Sequence, residues 1–76
     1  MADAETDDDA MARRIVESAN ELARSFYRMA GYVVAEEYRF DKATHPQERL
    51  CWQMACKAYE FIDGTSPEDA LSEIDN

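Results

Sequence analysis

The residues best able to catalyse a reaction or to bind a metal are few in this chain. His45 is the only histidine, and Cys51 and Cys56 are the only cysteines. A closed tetrahedral zinc site needs four converging ligands. A spacing of five residues points two cysteines of one helix to different faces and keeps their sulfurs too far apart for a disulfide. The sequence therefore predicts no cofactor, no metal and no disulfide.

Neighbouring carboxylates are the second candidate for chemistry. Glu17 with Glu21, and Glu36 with Glu37, could suggest a metal site in a helical bundle. Di-iron sites of that kind need Glu-x-x-His pairs on facing helices, and the sequence has none. It also lacks a Gly-rich phosphate loop and the GxSxG and HExxH motifs. We therefore predict that the chain is not an enzyme, and that Glu36 is partly exposed or paired with Arg39.

Length and charge exclude several other classes of function. The chain has 76 residues, so residues 1–76 form at most one small domain, with residues 1–6 expected to be flexible. A net charge of −9 opposes the phosphate neutralisation on which nucleic-acid binding depends. No apolar run approaches the ~18 residues of a membrane span, and the N-terminus lacks the features of a secretory signal. These properties predict a cytoplasmic protein with no direct contact to nucleic acid or membrane.

The first half of the chain has the pattern of one long helix over about residues 7–40. Thr6 and Asp9 have the spacing of a capping box, which favours a helix start. After it comes a seam, a line of residues along one side of the helix, whose members are spaced alternately by three and four residues, as in a coiled coil. Only one glutamate interrupts its otherwise apolar members, which are Ala12, Ile15, Ala19, Leu22, Phe26, Met29, Val33, Glu36 and Phe40.

Two further helices are predicted in the second half. Thr44-His45-Pro46-Gln47 has the form of a second capping box, and Gly64 is a typical helix end, so the second helix spans about residues 46–63. Ser66-Pro67-Glu68-Asp69 then starts a short helix over about residues 67–74. The predicted fold class is all-α, an antiparallel helical hairpin with a short C-terminal helix. One broad apolar face is expected on the second helix, comprising Leu50, Cys51, Met54, Ala55, Ala58, Phe61 and Ile62.

The unequal lengths of the two long helices predict self-association. The second helix covers little more than half of the first, so the N-terminal part of the seam overhangs unless the third helix or a second chain covers it. Small residues along the first helix would allow another helix to approach closely; they are Ala12, Ala19, Ala23 and Ala30. We therefore expect a homodimer formed through the first helix.

Charge placement points to a candidate partner-binding site. Residues 1–9 and residues 63–76 each carry five acids and no base. An antiparallel hairpin brings the two segments to one end, where they would attract a basic protein surface. The acids singled out for binding are Asp7, Asp8, Asp9, Glu68 and Asp69. The alternative is that they are ordinary helix-start charges that keep the chain soluble.

A second candidate surface is a stripe on the first helix. Tyr27, Gly31, Val34 and Tyr38 follow spacings of four, three and four residues, away from the main seam. Tyrosine is enriched at protein interfaces, so Tyr27, Val34 and Tyr38 are candidate contacts with a partner. The alternative is that the third helix and the aromatic side of the second helix cover this stripe within one chain.

With acidic clusters at both ends, an aromatic stripe and a Pro67-Glu68-Asp69-Ala70-Leu71 helix, the chain resembles small acidic phage-encoded inhibitors, including anti-CRISPR proteins. The resemblance concerns composition and architecture, and since anti-CRISPR proteins share no common fold, it assigns no residue a role. It implies a non-enzymatic inhibitor or adaptor that occludes a basic nucleic-acid-binding surface of a host protein. The alternative is a homodimeric helical-bundle regulator that binds a host transcription factor or motility protein through an apolar helix face.

Overall fold

The structure, a computed structural model, describes the backbone of residues 3–75 and the side chains of residues 10–74. It contains three α-helices, α1 (Asp3–Met29), α2 (Pro46–Asp63) and α3 (Pro67–Asp75), and one 3-10 turn at Phe40–Lys42. No strand occurs in residues 3–75. The predicted all-α fold with three helices is therefore confirmed.

α1 and α2 run antiparallel. At the start of α2, the Gln47 side chain donates a hydrogen bond of 3.0 Å to the hydroxyl of Tyr32, which follows the end of α1. At the other end, Thr65, which follows α2, lines a groove together with Met11 and Ile15 of α1. The hairpin predicted from the short polar connector is therefore present, with a longer connector than expected.

α1 ends at Met29, whereas the seam predicted a helix to about residue 40. Gly31 has φ of +100°, the left-handed region that favours glycine. Its N–H donates to the carbonyl of Arg28 at 2.9 Å, and the N–H of Tyr32 donates to the carbonyl of Tyr27 at 3.2 Å. These two bonds form a Schellman motif, and the stacked rings of Tyr27 and Tyr32, 4.6 Å apart, supply its apolar contact. A local C-terminal motif therefore ends α1 despite the continuing periodicity.

Gly31→Ala should destabilise the protein by about 1 kcal/mol, because an L-residue with a Cβ is disfavoured at positive φ. The space that a Cβ would occupy has no neighbouring atom within 4 Å, so the cost comes from the backbone conformation alone. Urea denaturation followed by circular dichroism measures the change. Gly31→Asn is the matched control and should cost less, since asparagine tolerates this region better. Equal stability of Gly31→Ala and the parent chain would contradict this account of the helix end.

α1 begins at Asp3, earlier than the predicted start near residue 7. Thr6 and Asp9 therefore lie within the helix and not at its start, and the side chains of the predicted capping box lie outside the described residues. The flexibility expected for residues 1–6 stays a prediction. The backbone of residues 3–6 is helical, and residues 1 and 2 lie outside the described residues.

Asn20 of α1 holds the connector between α1 and α2 in place. Its side chain is fully buried. The amide Nδ2 donates to the carbonyl of Val16 at 3.1 Å and to Oδ1 of Asp41 at 3.0 Å, while Oδ1 accepts from the N–H of Phe40 at 2.6 Å. Phe40, which is also fully buried, is thereby fixed in the core.

The ends of α2 follow the predicted bounds. His45 caps the N-terminus in place of the predicted Thr44, because its Nδ1 accepts a hydrogen bond of 3.3 Å from the N–H of Gln47. Gly64 ends the helix with φ of +80°, and its N–H donates to the carbonyl of Glu60 at 2.8 Å. The left-handed glycine cap expected from the sequence is confirmed.

α3 folds back and covers the N-terminal half of α1. Ala12 of α1 and Ala70 of α3 belong to the same buried cluster, and Leu71 and Ile74 pack against it. The cluster also includes Ala19 and Ala23, which are fully buried within one chain. The small residues that motivated a dimer through the first helix are therefore used internally, apart from Ala30, which is exposed beyond the end of α1. Dimer formation itself stays a prediction.

None of the helices in the part of the chain that the structure describes has the length and apolar character needed to cross a membrane.

Candidate protein-binding surface

The structure places the predicted tyrosine stripe in the core. Tyr27 is 8% exposed, and its ring meets that of Phe40 edge-on at 5.4 Å. Val34 and Tyr38 are half-buried and pack against the same cluster. Because α1 ends at Met29, these side chains converge from a helix and a loop instead of forming a stripe on one helix. The stripe is therefore covered within one chain, but the rings that contact it are Phe40 and Tyr32 of the connector, whereas the alternative named the third helix and the aromatic side of the second helix.

Tyr38 also has a fixed polar partner. Its hydroxyl donates a hydrogen bond of 2.5 Å to the carboxylate of Glu48 in α2. This hydrogen bond, with burial and the negative charge of Glu48, raises the pKa of Tyr38 to about 12. The side chain of Arg24 donates to the backbone carbonyl of Tyr38 at 3.1 Å. Tyr38 therefore joins the connector to both long helices.

The predicted acidic residues separate into three groups. The side chains of Asp7, Asp8 and Asp9 lie outside the described residues. Glu68 accepts a hydrogen bond of 2.6 Å from the indole N–H of Trp52, so its carboxylate links α3 to α2. Asp69 is exposed in the first turn of α3. Among the described residues predicted to bind a partner, Asp69 is therefore the acid best placed to meet one.

Asp69 borders a shallow groove of about 340 Å³ between α1 and α3. Its apolar lining comes from small and aliphatic side chains, and Glu73, one turn after Asp69, adds a second exposed carboxylate. The residues that line it are Met11, Ala12, Ile15, Thr65, Asp69, Ala70 and Glu73. Sequence reasoning misses Met11 and Glu73, although the spacing of four residues between Asp69 and Glu73 indicates a shared helix face. We call this the α1–α3 groove.

Chemically, the α1–α3 groove combines an apolar lining with carboxylates. Lysine and arginine side chains bury their aliphatic stems on apolar surfaces and keep their charged ends in water. A basic side chain could therefore lay its stem against Ile15 and Ala70 and direct its charge toward Asp69 or Glu73. This chemistry suits a basic protein surface better than a small neutral ligand.

A second polar cluster lies beside the connector and is structural. The Nε of Arg39 donates to Oδ1 of Asp41 at 3.1 Å, and the Arg39 guanidinium also pairs with Glu17. Burial raises the pKa of Asp41, but hydrogen bonds from Arg39 and Asn20 outweigh it and hold that pKa below its usual value. The hydrogen bond to Asp41 in turn raises the pKa of Arg39. The cluster therefore stabilises a charged, buried Asp41.

Of the two arrangements expected for Glu36, exposure to solvent is found and pairing with Arg39 is not. Glu36 is exposed and forms an ion pair of 3.1 Å with Arg28, whereas Arg39 is engaged with Glu17 and Asp41. The guanidinium of Arg28 also donates to the carbonyl of Val34 at 3.2 Å. Arg28 therefore links the connector to the last turn of α1 through the carbonyl of Val34 and the carboxylate of Glu36.

Both cysteines are buried free thiols. Burial raises the pKa of Cys51, and burial together with the charges of Glu68 and Glu60 raises that of Cys56 to about 12. A thiol with a raised pKa is a poor nucleophile at neutral pH. Among the described residues, no three His, Cys, Asp or Glu side chains are grouped so that they could hold a metal ion.

The apolar face predicted for α2 is divided between the core and the solvent. Cys51 and Ala55 are buried, whereas Phe61 and Ile62 are 83% and 82% exposed. Leu50 and Met54 are also exposed. Periodicity alone identifies the apolar residues but not the half of the helix that packs inward.

Comparisons with protein-family models, with curated proteins and with solved structures found no match for this chain.

Proposed function

We propose that the chain is a non-enzymatic protein-binding inhibitor or adaptor that occludes a basic, nucleic-acid-binding surface of a host protein. The observation that carries the proposal is the α1–α3 groove, in which an apolar lining is bordered by the carboxylates of Asp69 and Glu73. An action of this kind, resembling that of anti-CRISPR proteins and other phage-encoded inhibitors, requires one inhibitor per target and no turnover.

The charge distribution supports the same proposal. All eight basic residues lie in the segment from Arg13 to Lys57. The segments before and after it contain acidic residues and no basic residue. α1 and α2 run antiparallel, so the chain following α2 meets the N-terminal half of α1 at the groove. Concentrated negative charge steers a basic partner into contact and disfavours partners with acidic surfaces. Nucleic acid itself is disfavoured for the same reason.

Removing the two negative charges at the edge of the α1–α3 groove should weaken binding of the partner. The double variant Asp69→Asn with Glu73→Gln should lower affinity roughly two- to thirtyfold, since each of the two exposed ion pairs that it removes contributes about 0.2 to 1 kcal/mol. The loss should be larger at low salt than at physiological salt, where exposed charges are screened over about 8 Å. The partner is first captured from host lysate on the immobilised chain, identified, and then titrated at two salt concentrations.

The matched control is Glu21→Gln with Glu37→Gln, which removes the same charge from exposed positions outside the groove. Glu68 is left unchanged because its carboxylate binds Trp52. Unchanged affinity in the groove variant would contradict the proposal. So would simultaneous binding of the partner to nucleic acid and to this chain.

A further inference from the structure

An apolar stripe on the outer face of α2 is left uncovered by the described chain. Its members Leu50, Met54 and Phe61 are 49%, 44% and 83% exposed. The opposite side of the helix packs into the core through Cys51, Trp52, Ala55 and Cys56. We propose that a second copy of this chain covers the stripe, with the two α2 helices packed antiparallel. This goes beyond the proposed function, which concerns the α1–α3 groove.

The spacing along the stripe suits helix-to-helix packing. Leu50, Met54, Lys57 and Phe61 are separated by four, three and four residues, the repeat of a two-helix seam. Lys57 occupies one seam position, and its amine lies 3.9 Å from the carboxylate of Glu60. The lysine can keep that charge at the edge while its aliphatic stem covers apolar surface. One polar seam residue of this kind restricts register without preventing association.

The charges beside the stripe favour a second copy of this chain, and not a basic partner protein, as the molecule that covers it. Over the length of the stripe, residues 46–62 carry two acids, Glu48 and Glu60, and two bases, Arg49 and Lys57. Glu48 binds Tyr38 on the inner side of α2, so the charges beside the stripe are Arg49, Lys57 and Glu60, with a net charge of +1, although that of the whole chain is −9. Two identical acidic chains repel each other least where the acidic charge is lowest, and a basic partner gains no electrostatic advantage on such a face. Apolar contact is then the main attraction, at roughly 25 cal/mol per Å² buried before association costs.

The order of these charges favours the antiparallel arrangement. Glu48 is engaged with Tyr38, which leaves Arg49 near the start of α2 and Glu60 near its end. Antiparallel packing places Leu50 against Phe61 of the second copy and brings Arg49 toward Glu60 of the second copy, twice by symmetry. Parallel packing would oppose Lys57 to Lys57, because each seam residue then meets its own copy, whereas antiparallel packing places Lys57 against Met54 of the second copy. The sequence of α2 is therefore self-complementary in one orientation only.

Association is measured by light scattering and sedimentation over a range of micromolar concentrations. We expect a dimer for the parent chain and at least a tenfold weaker dimer for Phe61→Lys. Val33→Lys is the matched control, because Val33 is 95% exposed in the connector and carries the same change of charge away from α2. Circular dichroism checks that both variants keep their helices. A parent chain that stays monomeric, or a dimer as tight in Phe61→Lys as in Val33→Lys, would overturn the proposal.

Cross-linking tests the orientation. Leu50→Cys with Phe61→Cys should form a covalent dimer under mild oxidation, whereas each single variant should not. The native Cys51 and Cys56 are buried and provide the background in the parent chain. Efficient cross-linking of either single variant would show parallel helices and overturn the antiparallel arrangement. A dimer whose double variant does not cross-link would place the interface elsewhere.

Discussion

Replacing Asn20 by alanine is expected to lower the free energy of unfolding by about 3 kcal/mol. The substitution leaves the N–H of Phe40 without its acceptor and removes one donor from the buried carboxylate of Asp41. Each buried polar group that loses its partner costs about 1 to 3 kcal/mol, with charged groups at the upper end. A domain of this size has a total stability of about 4 to 11 kcal/mol, so the variant should melt well below the parent chain.

Chemical denaturation of Asn20→Ala, with Ser18→Ala as an exposed control on the same helix, measures this effect. A double-mutant cycle with Asp41→Ala isolates the pair, because the double variant should lose less stability than the sum of the two single losses. A loss below about 1 kcal/mol for Asn20→Ala would contradict the assigned hydrogen bonds.

Trp52→Ala is expected to cost about 3 to 5 kcal/mol, the usual range for removing a large buried aromatic side chain. Trp52 is fully buried in the core, and its indole N–H binds Glu68. Loss of the side chain removes packing from the core and the hydrogen bond that holds α3. Urea denaturation followed by circular dichroism should therefore give a midpoint far below that of the parent chain.

Trp52→Phe separates the two contributions, because phenylalanine keeps much of the apolar contact and cannot donate to Glu68. It should cost less than Trp52→Ala. Gln53→Ala, at the adjacent exposed position, should change stability by no more than about 0.5 kcal/mol. Similar stabilities of Trp52→Ala and Gln53→Ala would contradict the central role of Trp52 in the core.

The helix boundaries show how much of the fold local sequence signals predict. The bounds of α2 and α3 follow from such signals, because a proline marks each start and Gly64 marks the end of α2. The end of α1 does not follow from periodicity, because apolar residues continue at helical spacing through Val33 and Phe40. Gly31, followed by Tyr32 and two valines, is the local signal for a stop, since β-branched residues are weak helix formers. A Schellman motif depends on a few hydrogen bonds and can interrupt a longer periodic pattern.

The candidate sites are harder to predict because burial depends on tertiary packing. Tyr27 and Tyr38 have the character of binding residues, but the connector folds over α1, which buries Tyr27 in the core and packs Tyr38 against it. Glu68 has the sequence context of an available charge, and only the packing of α3 on α2 reveals its bond to Trp52. The exposed stripe of α2 falls within the predicted inward face, because apolar residues occupy more than half of that helix. Patterning therefore locates the apolar and acidic residues without showing which of them remain accessible.

The hydrogen bond between Trp52 and Glu68 gives the protein an intrinsic optical reporter. Trp52 is the only tryptophan, and its ring is excluded from solvent where α3 meets α2. Its fluorescence therefore comes from one environment, and detachment of α3 removes Glu68, the hydrogen-bond partner of the indole. Comparing tryptophan emission with the helical circular-dichroism signal distinguishes undocking of α3 from global unfolding, with no label attached to either of the proposed binding surfaces.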